Sequence, residues 1–419
     1  MEEIAERLAE LERLGRSRRL RTVSGPQGPR VTLDGQAVLL LCSNNYLGLA
    51  DHPRVRAAAA RAASELGAGT GASRLVSGTM DVHRRLERVL ADFEQTEACV
   101  LFGSGYLANV GAIGALAGPG DTVFSDALNH ASIVDGCRAS RADIVVYRHR
   151  DHDHLESCLR RDAERPAARE PGGRERGKPR RRLIVTDSVF SMDGDVAPLR
   201  EIARVAREYD ARVLVDEAHA TGAFGAGGHG AVFDTGLQGQ VDVVIGTLSK
   251  SLGSYGAYAC ASEEMVRYLI NAARPLIFST APPPPSTAAA LAALELLREQ
   301  PELVARLRAA ARALRDGLAD EGFSVQRGDM HIVPLVVGDA YDTVRLCGAA
   351  LERGVFAQAI RPPTVPSGAS RLRLAAMATH EPEEMRAAAR TLAQAAHAVG
   401  LDPAKIGSRA ATRPLAQVA

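Results

Sequence analysis

Residues 212–219 read Arg-Val-Leu-Val-Asp-Glu-Ala-His, and residues 241–250 read Val-Asp-Val-Val-Ile-Gly-Thr-Leu-Ser-Lys. Each opens as a short, largely apolar and β-branched run and ends on residues able to do chemistry. Near-continuous apolar runs suit strands whose two faces are both covered by helices. Ala98–Phe102, Thr122–Ser125, Ile144–Tyr147, Leu183–Asp187 and Ala257–Cys260 read the same way. Helical patterns lie between them. Pro198 opens one, with Leu199, Ile202, Ala203 and Ala206 on a single face. Repeated strand–helix alternation predicts an α/β fold, a large, doubly wound, mostly parallel sheet. Ligands of such sheets sit beyond the carboxyl ends of the strands, and Asp216, His219 and Lys250 fall there.

A carboxylate at Asp216 could salt-bridge a protonated pyridine nitrogen and keep that ring an electron sink. Standing alone, it could equally cap the following turn. The letters Asp-Glu-Ala-His also occur in nucleic-acid-dependent ATPases, but those need a preceding Gly-x-x-x-x-Gly-Lys-Ser/Thr loop. The only Lys-Ser step here is Lys250-Ser251, which follows Ser249 rather than glycine and comes after the acidic letters. The ATPase reading is weak.

Lys250 sits among Thr247, Ser249, Ser251 and Gly253, small groups that leave room for a ligand and supply phosphate donors. The chain has only two other lysines, Lys178 in an arginine-rich stretch and Lys405 near the C-terminus. Lys250 alone is placed for Schiff-base chemistry, which works when neighbouring groups lower the amine pKa. Gly103-Ser104-Gly105-Tyr106-Leu107-Ala108-Asn109 turns from strand to helix, a place where backbone amides can cradle phosphate. Asn129-His130-Ala131-Ser132 brings an imidazole to the same edge.

The bulk properties narrow the classes. The chain has 419 residues, 46% hydrophobic and 24% charged, the balance of an ordinary globular protein. A net charge of +1 gives no field favouring nucleic acid or an anionic membrane. No run approaches the roughly 18 apolar residues of a membrane span, and the charged N-terminus lacks a signal-peptide core. Six cysteines without a C-x-x-C pair argue against a zinc site or a disulfide framework. A cytoplasmic enzyme without a metal is expected.

Four regions are expected: an N-terminal helix and extension (1–42), a large cofactor-binding domain (43–285), a smaller α+β domain (286–405) and a tail (406–419). The boundary follows from Ala281-Pro282-Pro283-Pro284-Pro285, since proline cannot donate a ladder hydrogen bond. Helices are predicted near 286–320 and 380–399, and strands at His331–Val337 and Val355–Ile360. Arg160–Arg182 reads as a solvated basic loop and the tail as disordered.

Taken in order, these segments resemble the α-oxoamine synthase family of fold-type I pyridoxal-phosphate (PLP) enzymes. The match runs from about Leu11 to about Ala396. It includes Ser43–Leu49, Gly67–Gly69, Val76–Thr79, Phe190–Asp195, Asp216–His219, Thr247–Lys250, Phe278–Thr280 and Arg371–Arg373. The resemblance implies that Lys250 binds the cofactor aldehyde and later removes the substrate α-proton, that Asp216 pairs with the pyridine nitrogen, and that His130 stacks on the ring. It implies His219 and Ser191 near the phenolic oxygen, and Gly105, Tyr106 and Thr247 at the phosphate, with Ser279 or Thr280 reaching it from a second subunit. Arg18, Asn44, His130, Thr364 and Arg373 match substrate positions. Arg373 would hold the carboxylate; Arg371 is the alternative, and the two are expected to face opposite ways so that only one reaches the site.

The implied reaction joins an amino acid to an acyl thioester, on coenzyme A or a carrier protein, with loss of CO₂. L-alanine and a pimeloyl thioester are the expected pair. Relatives that use glycine or serine with other acyl groups, and fold-type I aminotransferases, are the alternatives. A homodimer is implied.

Overall fold

In the computed structural model, residues 2–165 and 180–407 are described. The described residues of Met1–Asp51, Ser191–Gly194 and Glu302–Ala419 form one compact unit, and those of His52–Phe190 and Asp195–Pro301 form the other.

The second unit is built on a seven-stranded sheet. In spatial order its strands are Ala98–Phe102, Ala257–Ala261, Val243–Thr247, Ala211–Asp216, Arg182–Asp187, Thr122–Asp126 and Asp143–Tyr147. Ala257–Ala261 runs antiparallel to both neighbours; the other pairings are parallel. All seven coincide with apolar runs legible in the sequence. One face packs Val100, Leu183, Leu214 and Ile245 against Ala112, Ile113 and Leu116 of the helix Gly105–Leu116. Ile184, Val213 and Val215, on the alternate positions, are buried too. Both faces are therefore covered, and that is why these strands read as unbroken apolar runs.

Gly246 has a steric reason: a Cβ there would overlap the ring of Tyr258 on the neighbouring strand. Tyr258 cannot yield, because its buried hydroxyl is bonded to Glu94 and to Thr221.

Two smaller sheets make up the first unit. One joins Val23–Ser24, Arg30–Leu33, Gln36–Leu40 and Val355–Phe356; the other joins Ile332–Gly338, Ser370–Ala375 and Gln358–Ile360. The single strand expected over Val355–Ile360 is thus divided at Ala357 between two sheets. The helix expected near 286–320 is two, Pro284–Glu299 and Glu302–Asp320, divided at Pro301, where proline lacks the amide needed to continue the ladder.

The boundary expected after 285 does not coincide with the division into units. Helix Pro284–Glu299 packs on helix Pro53–Leu66, with Arg54 paired to Glu299, so it stays with the second unit. Ile406 is buried and Gly407 hydrogen-bonds Val336; the rest of the expected tail, 408–419, lies outside the described residues. So do 166–179 of the basic loop, including Lys178. At the loop's described flanks, Arg165 and Arg180–Arg182 pair with Asp143, Asp162 and Asp121. No helix among the described residues is long and apolar enough to cross a membrane.

Candidate active site

The carboxyl edge of the large sheet gathers the reactive groups. Asp216 ends its strand, 3% exposed, and its carboxylate is held twice: Oδ1 by the amide of Ala218 at 2.8 Å, Oδ2 by Nδ2 of Asn109 at 2.6 Å. These two bonds fix where the carboxylate points, toward the place a cationic ring nitrogen could occupy. Three residues on, His219 Nε2 lies 2.8 Å from Nζ of Lys250. The turn after Asp216 is fixed by the neighbouring Glu217, whose buried carboxylate accepts the amides of Ala231 and Val232. Burial lifts its pKa to about 7 despite those bonds.

Thr247 ends the adjacent strand. Its Oγ1 bonds the Gly256 carbonyl at 3.1 Å and Ser249 Oγ at 2.8 Å. Gly105 begins its helix beside it, close enough that a Cβ would sit 4.0 Å from Thr247 Cβ. Ser104 caps the helix by accepting from Leu107 N, which leaves the amides of Gly105 and Tyr106 for a ligand. Tyr106, next in line, donates its hydroxyl to Asp135.

His130 is the N-cap of helix Ala131–Ser140. Its backbone amide donates to Oδ2 of Asp187 at 2.8 Å, and Asn129 ties the same segment to the strand by donating to the Val185 carbonyl. Asp187 lies in register with Asp216 on the next strand, and both are buried. Burial, and after it the neighbouring Asp216, push the Asp187 pKa well above the carboxylate range. His130 shifts down: burial dominates, Asp216 opposes it, and the Lys250 charge adds to it. Thr280, exposed, forms an isolated bridge with Ser73 in the same unit.

The remaining predicted residues lie in the first unit. Arg373, 5% exposed, gives Nε to the Ser191 carbonyl, Nη1 to Asn44 Oδ1 at 3.0 Å and Nη2 to the Tyr46 hydroxyl at 3.0 Å. Arg371 pairs instead with the Asp193 carboxylate and the Met192 carbonyl. The expectation that these arginines face opposite ways is overturned. Residues two apart on a strand share a face, and both reach the segment Ser191–Gly194. What separates them is charge: Arg371 has its carboxylate, whereas every described partner of Arg373 is neutral. Arg18 reaches the Pro362 carbonyl at 3.5 Å, close in the chain to Thr364, whose amide bonds Arg361 O.

Sequence reasoning assigned no role to Asn109, Ser132, Asp187 or Tyr46. One signal was available for Asn109, the single amide side chain in the otherwise apolar helix Gly-Tyr-Leu-Ala-Asn-Val-Gly-Ala-Ile-Gly-Ala-Leu.

A buried carboxylate, an amine beside an imidazole, and a threonine beside a glycine-led helix start form a donor set that fits the ring nitrogen, aldehyde and phosphate of PLP. The architecture is that of the fold-type I PLP transferases. The chain belongs to the aminotransferase class I and II family, which it matches over residues 36–392. It is 50% identical over 399 residues to the 8-amino-7-oxononanoate synthase of Geobacter metallireducens, covering 95% of this chain and 98% of that one. The synthase of that name from Symbiobacterium thermophilum is 42% identical, with 95% and 98% covered. Among solved structures, a serine palmitoyltransferase of S. paucimobilis with a bound PLP–myriocin aldimine superposes with a TM-score of 0.87 at 34% identity, covering 95% and 98%.

Proposed function

We propose that this chain is a PLP-dependent acyltransferase of biotin synthesis. It condenses L-alanine with a pimeloyl thioester to give 8-amino-7-oxononanoate, CO₂ and the free thiol. The observation that carries the reading is the Lys250–His219 contact beside the twice-held Asp216, in a chain 42–50% identical over nearly its whole length to synthases of that name.

When bound, PLP supplies a sink for the electron pairs left first by the substrate proton and then by CO₂. Lys250 is assigned the covalent attachment, and its Nζ then takes the α-proton of alanine. Asp216 would pair with the ring nitrogen, and the donors from Asn109 and Ala218 hold its carboxylate in place for that task. Thr247, with the amides from Gly105 and Tyr106, is assigned the phosphate; His219 and Ser191 the phenolic oxygen; His130 the face of the ring. Arg373 is assigned the substrate carboxylate. Three of its five N–H groups are engaged, all by neutral acceptors, and no carboxylate among the described residues pairs with it. Arg18, Asn44 and Thr364 are assigned substrate contacts.

We further assign a homodimer in the cytoplasm. Leu75, Val76 and Phe278 are 54%, 80% and 70% exposed, an apolar surface that a second copy would cover, with Thr280 close to Phe278 in sequence. Six unpaired thiols suit a reducing compartment. The acyl group can arrive on coenzyme A or on a carrier protein.

The test is thiol release from a panel of amino acids and acyl thioesters. Release of thiol and CO₂ in equal amounts with alanine and a pimeloyl thioester is expected. Transfer of the amino group to a keto acid without either product would instead make this an aminotransferase.

A further inference from the structure

We propose that Asn109 and Ser132 are positioning residues that fix the tautomer of His130, so that its ring carries the proton on Nε2 and keeps Nδ1 as an acceptor. The inference deepens the function proposed above and rests on it for its catalytic meaning, but the tautomer itself is a property of this chain alone.

Asn109 Nδ2 lies 2.6 Å from Asp216 Oδ2 and 2.9 Å from Ser132 Oγ. The two N–H bonds of the amide are thereby both used. Turning the amide over would press its oxygen against the Asp216 carboxylate, two acceptors facing each other, so the nitrogen must be the inward atom. Ser132 Oγ is then an acceptor toward Asn109 and has one proton of its own to give. His130 Nδ1 lies 2.7 Å away, and the Ser132 backbone amide points at the same nitrogen from 3.3 Å. Two donors converge on Nδ1, so that atom presents its lone pair. The neutral ring carries its proton at Nε2.

Protonating Nδ1 would set its N–H against the serine O–H, and the serine could not turn its proton toward Asn109, whose facing atom is itself a donor. Asn109 and Ser132 are both fully buried, so water does not take over the missing bond. The charged groups around the ring are Asp216 and Asp135, which favour a cation, and Lys250, which opposes it. Asp187, the buried acid in register with Asp216, takes the His130 backbone amide and holds the segment in place.

The meaning for the reaction is specific. His130 serves as a hydrogen-bond donor through Nε2 and not as a base at that atom, which leaves proton removal to Lys250. The relay also links the two residues assigned to the cofactor ring, since one amide group holds both the Asp216 carboxylate and, through Ser132, the imidazole.

The measurement is ring-nitrogen NMR of holoenzyme and cofactor-free protein labelled with ¹⁵N-histidine, the His130 signals being assigned by their loss in His130→Asn. In the wild type, Nδ1 should resonate as an unprotonated nitrogen and Nε2 as a protonated one across the range in which free imidazole titrates. In Ser132→Ala the Nδ1 signal should move toward the averaged position of exchanging tautomers, and the ring's protonation midpoint should rise. Ser132→Thr, which keeps the hydroxyl, should restore the wild-type shifts. A protonated Nδ1 in the wild type overturns the proposal whether or not the variants fold, and so do unchanged nitrogen shifts in a folded Ser132→Ala. A chain that never bound PLP at Lys250 would fail the functional reading while leaving this result legible in the cofactor-free protein.

Discussion

Arg371 and Arg373 project from the same face of one strand, and only Arg371 is paired with a carboxylate, that of Asp193. The two residues are almost equally buried, at 6% and 5% exposure. Their difference lies in what neutralises them. A buried cation with only neutral partners is costly to keep, a cost that fits the proposed role of Arg373 in holding the substrate carboxylate.

Removing each arginine should therefore do different things. Arg373→Ala is expected to raise the KM for the amino acid by about 10- to 100-fold, the worth of the ~1.5–3 kcal/mol that hydrogen bonds to a charged group contribute. The KM for the thioester should change little. An unchanged amino-acid KM would move the carboxylate role elsewhere.

Arg371→Ala should act on stability, because it strands Asp193 without its cation. A loss on the order of 1–3 kcal/mol is expected by denaturant unfolding, with the amino-acid KM closer to wild type than in Arg373→Ala.

The sequence made the chemical edge of the large sheet legible for a physical reason. Strands buried on both faces must be apolar along their whole length, so Ala211–Asp216 and Val243–Thr247 announce themselves, and Asp216 and Thr247 mark their ends. The N-terminal strands were less visible. Arg30–Leu33 and Gln36–Leu40 are short and half-exposed, and their partner Val355–Phe356 lies far along the chain. The Asn109–Ser132–His130 relay was hidden because its partners come from two helices distant in sequence. The arginine pair could have been read correctly, since the period of a strand is two.

Asp216→Asn keeps the shape but removes the carboxylate proposed to pair with the ring nitrogen. Turnover should fall by at least about 10²-fold, a typical cost of losing a positioned proton-holding group. The cofactor's absorption should shift with it, while the melting temperature changes little.

His149 gives a pH signature. Nδ1 and Nε2 lie 2.9 Å from Asp126 and Asp195 respectively. Burial pulls its pKa down, but the bonds to the two carboxylates and their charges outweigh burial and hold it at about 9. The folded value is raised above the ordinary one, so this contribution is complete below pH ~6.5 and fades as pH climbs through about 9. Stability should fall over that window by on the order of 2 kcal/mol, and the His149→Gln variant should lose this part of the decline. Arg150 also pairs with Asp195.

The most direct test of the whole reading is borohydride reduction of the holoprotein followed by peptide mapping. The pyridoxyl group is expected on the peptide containing Lys250 alone, and Lys250→Ala should be folded, unlabelled and inactive. A label on Lys178 or Lys405, no label at all, or near-normal turnover by Lys250→Ala would contradict it.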